Sequence, residues 1–149
     1  SKEETPEVAA LQILNVIFST PQISCMLTEL PSSHLRMLAF WMSFCMRHRK
    51  TLQESKLRPE HPEHSYPVVT AESAEETITA LYETDRVVRL NASHRHIVLN
   101  ATHVPELLIE TQHPRKCIVF NTFGEEVLRC EVSGLARVAV PASGFAEFE

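Results

Sequence analysis

Midway along the chain, between residues 57 and 66, the spacing of apolar side chains changes from helical to alternating, and that change constrains the fold more than any other feature. Up to residue 56 apolar residues recur three and four apart; from Ser65 on they recur every second residue. The first period is that of an amphipathic helix and the second that of a half-buried strand. Prolines 59, 62 and 67 occupy the change itself, in RPEHPEHSYP. Proline lacks an amide donor and holds its neighbour extended, so this stretch predicts a boundary. The expected fold class is therefore α+β, with a helical segment over 1–56, a Pro-rich linker over 57–66 and an antiparallel β-sandwich over 67–149.

Within the helical segment, Val8–Phe18 starts after Pro6 and three glutamates and stops before Pro21, which predicts a helix. Gln22–Leu27 (QISCML) is short, apolar and bounded by prolines, as a buried strand is. Pro31 then opens a second helix through Leu52, whose Arg47, His48, Arg49 and Lys50 suit the negative end of a helix dipole. From Leu35 to Met46 only Arg36 and Ser43 are polar. Apolar surface all round a helix needs cover on several sides, and the spacing predicts unpartnered surface around Phe40, Trp41 and Phe44.

In the second half, Ile78, Ala80 and Tyr82 share one face by alternation. So do Ile97, Leu99 and Ala101; Leu107, Ile109 and Thr111; Leu128, Cys130 and Val132; and Ala136, Val138 and Val140. Gly124, Gly134 and Gly144, the 3 glycines of the chain, fall ten apart. That spacing predicts strand–turn–strand units in an antiparallel meander of about seven or eight strands, as a sandwich or open barrel.

Charge and composition exclude several functions. A net charge of −5 with scattered Lys and Arg provides no basic face for nucleic acid or an anionic membrane. No stretch approaches the ~20 apolar residues of a membrane span, and no signal peptide is recognisable. Cys25, Cys45, Cys117 and Cys130 have no CxxC spacing and sit among apolar neighbours. They read as buried free thiols in a reducing compartment, which predicts a cytoplasmic protein. The sequons at Asn91 and Asn100 then read as chance occurrences.

Candidate chemical groups are sparse. His61, Glu63 and His64 offer ligand types without the spacing of a zinc motif, and Pro62 breaks any helical placement. His94 and His96 are two apart, so on a strand they share a face; with Arg95 between them, a solvated face is expected rather than a metal pair. Ser24 beside Cys25 lacks a nucleophile elbow. Among 19 acidic residues only Asp85, in the turn-like ETDR, is an aspartate, so chemistry needing two aspartates lies beyond this chain. No catalytic, cofactor-binding or metal-binding residue is assigned.

The segment ELPSSHLRMLAFWMSFCMRHRKTLQESKLRPEHPEHSYPVVTA (29–71) resembles the last barrel helix and following linker of α-galactosidases and related enzymes of glycoside hydrolase family 36. The matching pieces are Phe40-Trp41, His48-Arg49, Leu57-Arg58-Pro59, His61-Pro62-Glu63 and Tyr66-Pro67. IVFNTFGEEV…ARVAVPASGFAEFE resembles the closing strands of the β domain in that family. The resemblance implies that residues 1–56 are the final helix–strand–helix of a (β/α)₈ barrel and 67–149 its C-terminal β-sandwich. It further implies a retaining hydrolase of α-galactosides whose nucleophile and acid/base are two aspartates on earlier barrel strands, matched by no residue here. The chain would then be a non-catalytic C-terminal portion, inactive alone, whose partner is an upstream barrel or a second copy held through the helical segment. Two other readings are a carbohydrate-binding β-sandwich module, using Tyr66, Tyr82, Phe120, Phe123, Phe145 or Phe148, and a stand-alone interaction domain using the apolar helix.

Overall fold

The computed structural model describes residues 4–18, 34–54, 67–90 and 94–149. The expected strand Gln22–Leu27, the linker 57–66 and the sequon at Asn91 lie outside the described residues.

Helix α1 spans Pro6–Asn15. Thr5 caps it, accepting the Val8 amide on its hydroxyl at 3.2 Å, and Pro6 fills the first turn, where a missing amide costs nothing. It ends about one turn earlier than the spacing predicts. Helix α2 spans Leu35–Arg47 and stops short of Leu52, because after His48 the backbone widens into a π turn, Lys50–Glu54. The wider turn carries both Thr51 and Leu52 to the sheet side, where both are buried.

Among the described residues seven strands follow: β1 (Val68–Glu72), β2 (Glu76–Leu81), β3 (Val87–Arg89), β4 (Arg95–Asn100), β5 (Glu106–Phe120), β6 (Glu126–Ala139) and β7 (Phe145–Phe148). The fold is α+β with a mostly antiparallel sheet. It is not the expected meander: the order is β1-β2-β4-β7-β5-β3, with β6 also on β5, and the pairs β2/β4 and β3/β5 are parallel. Gly124 and Gly144 lie in turns, but Gly134 sits inside β6 at φ +62°, opposite Thr111, where the register shifts between Thr111 and Arg115. The runs expected as separate strands on either side of Gly134 are therefore one strand, bent at a bulge.

That bend lets one continuous sheet close over itself. Two apolar clusters result, on opposite faces. On one face Ile78, Ala80, Ile97, Leu99 and Phe145 meet α1 and α2. On the other, Leu81, Val98, Cys117, Val119 and Phe148 meet Val88, Leu107, Ile109 and Val138 from the folded-over part. Strands β2 and β4 are thus covered on both sides, which is why β2 is buried at every position.

The expected bare surface on α2 is overturned. Trp41 and Phe44 are buried and Phe40 is partly so, because Phe145 reaches up from the sheet and takes ring contacts with all three at 5.4–5.8 Å. Of that helix, Leu35 and Met46 are the large apolar side chains left exposed. Gly124 explains how close the approach is: a Cβ there would lie 2.3 Å from the Phe40 ring.

Candidate functional site

Two groups of polar side chains are built into this architecture. The first lies where the end of α2 meets the start of β2. Glu76 has the same strand parity as Ile78 and Ala80, so it points at the helices. There His48 Nδ1 donates to Glu76 Oε2 at 2.8 Å and the Thr51 hydroxyl donates to the same oxygen at 2.8 Å. Ser73 caps the turn, accepting the amides of Glu75 and Glu76 on Oγ at 3.3 Å each. Burial pushes the Glu76 carboxyl up, but the hydrogen bonds from His48 and Thr51 and the positive charges of His48 and Arg95 together hold it below the usual carboxylate range. Glu147, on the same face, has its carboxyl raised by burial, which outweighs the opposing charges of Arg95, His48 and Arg47. His48 Nε2 is buried without a hydrogen-bond partner among the described residues. This is the chemistry of a fastening: a carboxylate and an imidazole sealed between helix and sheet.

The second group lines a cleft of about 290 Å³ on the other face, between β1, β2, β4 and β3. Thr70, Thr77, Thr79, His96 and Glu72 supply its polar wall and Val68, Val87, Val88 and Leu90 its apolar one. The polar groups already bond one another. Thr79 Oγ1 lies 2.7 Å from His96 Nε2 and 3.2 Å from Thr70 Oγ1, while Thr77 Oγ1 lies 2.7 Å from His94 Nε2. His96 is 3% exposed, so the expectation of a solvated His94/His96 face is wrong for His96: the folded-over part of the sheet covers it. Burial, then the Arg115 and His94 charges, push its imidazole down to about 4. Arg115 is held in turn by carbonyls, donating to His94 O at 2.7 Å and Phe148 O at 3.2 Å.

The remaining candidates are not brought together. Asp85 is an exposed turn residue with φ +62°, a conformation aspartate tolerates. Burial pushes the Cys45 thiol up to about 11 and the Cys117 thiol up to about 12, the opposite of nucleophile activation. Cys25, Ser24, His61, Glu63, His64 and Tyr66 lie outside the described residues. Among the described residues no three His, Cys, Asp or Glu side chains are grouped to hold a metal ion. The β-half rings are engaged: Phe120 stacks on Phe145 at 5.0 Å, Phe148 is buried, the Tyr82 hydroxyl donates to Leu14 O at 2.6 Å, and Phe123 lies under the Arg36 guanidinium at 4.2 Å.

Sequence reasoning missed the His48–Glu76 pair. Its signal was available in ETITAL, where alternation sets a glutamate on the same face as two core residues and so requires a buried partner. Trp41 Nε1 donating to Thr122 Oγ1 at 2.8 Å had no such signal, since the two are 81 residues apart. No helix among the described residues is long and apolar enough to cross a membrane. Comparison with protein-family models, with curated proteins and with solved structures finds no match to this chain.

Proposed function

We propose that this chain is the non-catalytic C-terminal part of a cytoplasmic α-galactosidase-like glycoside hydrolase, in which a β domain braces the last helices of the catalytic barrel. One observation carries the reading. Several residues behind the family resemblance on α2 and its C-cap also bind that helix to the sheet: Phe40 stacks on Phe145, Trp41 donates to Thr122, and the cap residue His48 donates to Glu76. A brace needs such a joint, with apolar contact for strength and directed hydrogen bonds for register. The polar groups described above are bonded to one another in ways that suit structure better than turnover.

Two measurements test this. The chain alone should not hydrolyse a chromogenic α-galactoside, and the reading frame upstream of Ser1 should encode a barrel with two aspartates at strand ends. Turnover by the isolated chain, or a frame that opens at Ser1, would overturn the proposal. A calorimetric isotherm with galactose would instead favour the sugar-binding reading, with the threonine-lined cleft as its site.

A further inference from the structure

Cys117 and Cys130 are directly opposed in the β5/β6 register. Directly opposed residues of antiparallel strands point to one face of the sheet, so the two side chains are neighbours there. The type of pair follows from the neighbouring strand. Lys116 O accepts the Glu149 amide on the β7 side, so Cys117 turns its own amide and carbonyl toward β6. Pairs that exchange backbone bonds have Cα atoms ~5.5 Å apart, inside the ~4.4–6.8 Å range that a disulfide spans, while their Cβ atoms, ~4.5–5.5 Å apart, must draw together to reach the ~3.5–4.5 Å of the bridge. Both cysteines are free; Cys117 is buried and Cys130 partly exposed.

From this geometry we propose that Cys117 and Cys130 form a reversible dithiol–disulfide site, oxidised by small disulfides of the glutathione type. Cys130, the accessible member, gives up its proton and attacks one sulfur of the oxidant, forming a mixed disulfide and releasing one small thiol. Cys117, whose raised thiol makes this the slow step, then loses its proton and attacks the Cys130 sulfur, breaking the mixed disulfide and releasing the second thiol. The balance is complete: two protein thiols are oxidised, one small disulfide is reduced to two thiols, and the chain loses two hydrogens. The product joins β6, whose strand partner is β5, covalently to the body of the sheet. This inference is independent of the proposed function.

The test is titration of the full chain in glutathione buffers of increasing oxidised fraction, followed by denaturation, maleimide labelling and mass spectrometry. The expected result is that two of the 4 thiols disappear together, a linked peptide pair containing Cys117 and Cys130 is recovered, and dithiothreitol restores both. The oxidised form should melt about 5–10 °C higher, as cross-linking a short loop restricts the unfolded chain. Cys130→Ser, at the partly exposed position, should abolish the paired loss. Cys117→Val should instead stop at a glutathione adduct on Cys130; should that core variant fail to fold, Cys130→Ser decides alone. Four thiols that stay titratable, a stable mixed disulfide on the unmutated chain, or a link through Cys25 or Cys45 would each overturn the proposal.

Discussion

Burial, then the Arg115 and His94 charges, disfavour a proton on the His96 imidazole in the fold. Its value of about 4 lies below the ordinary ~6.5 of an unfolded histidine, so between those limits the unfolded chain binds the extra proton. Stability from this residue is complete above pH ~6.5 and is lost as pH falls toward 4, by on the order of 3 kcal/mol. Chemical denaturation from pH 7 to 4 should show that decline, and His96→Gln should flatten it. Glu147, with its raised carboxyl, works in the opposite direction at the acid end and limits the net slope. The pairing of His94 with His96 was legible from their spacing. That His96 is covered was not, because the covering strand β3 is only three residues long and pairs in parallel with β5, across the intervening β4.

Among elements, the β5–β6 connection ties the sheet to α2. Its turn presses Gly124 against Phe40 and gives Thr122 to Trp41, while Gly134, farther along β6, touches nothing a Cβ would meet. Both glycines have positive φ, at +77° and +62°. Gly134→Ala should therefore cost only the left-handed backbone penalty, about 1 kcal/mol, whereas Gly124→Ala adds a steric conflict with the partly buried Phe40 ring and should cost about 2 kcal/mol or more. Paired urea melts measure the difference; equal losses would mean that the Phe40 contact does not constrain the turn. FGE and SGL look alike in sequence. Spacing locates a positive φ in each, but a hairpin turn and a bulge inside a long strand make the same demand of the residue. The helices were legible because their periodicity is local. The end of α2 was not, since it is set by His48 and Thr51 reaching Glu76 across the joint.

At the scale of the whole molecule, helices and sheet share one core, and the chain has 1 tryptophan, Trp41, sealed at their junction. Tryptophan fluorescence reports the joint and far-ultraviolet circular dichroism reports the sheet and helices, and the two should give superimposable denaturation curves. Fluorescence changing first would mean that the helices detach before the sheet unfolds. The division into helical and β halves was legible; the strand order was not, because parallel neighbours brought together by a fold-over leave no local trace. One buried side chain has a consequence for production. Asn100 is 0% exposed, its amide donates to the Val104 and Val140 carbonyls at 2.9 and 3.0 Å, and its Oδ1 accepts from Thr102, the third residue of its own sequon. An oligosaccharyltransferase acting on the nascent chain would attach its glycan to a nitrogen that the fold requires inside. The yield of native protein from a secretory eukaryotic host should therefore depend on folding outrunning glycosylation at Asn100.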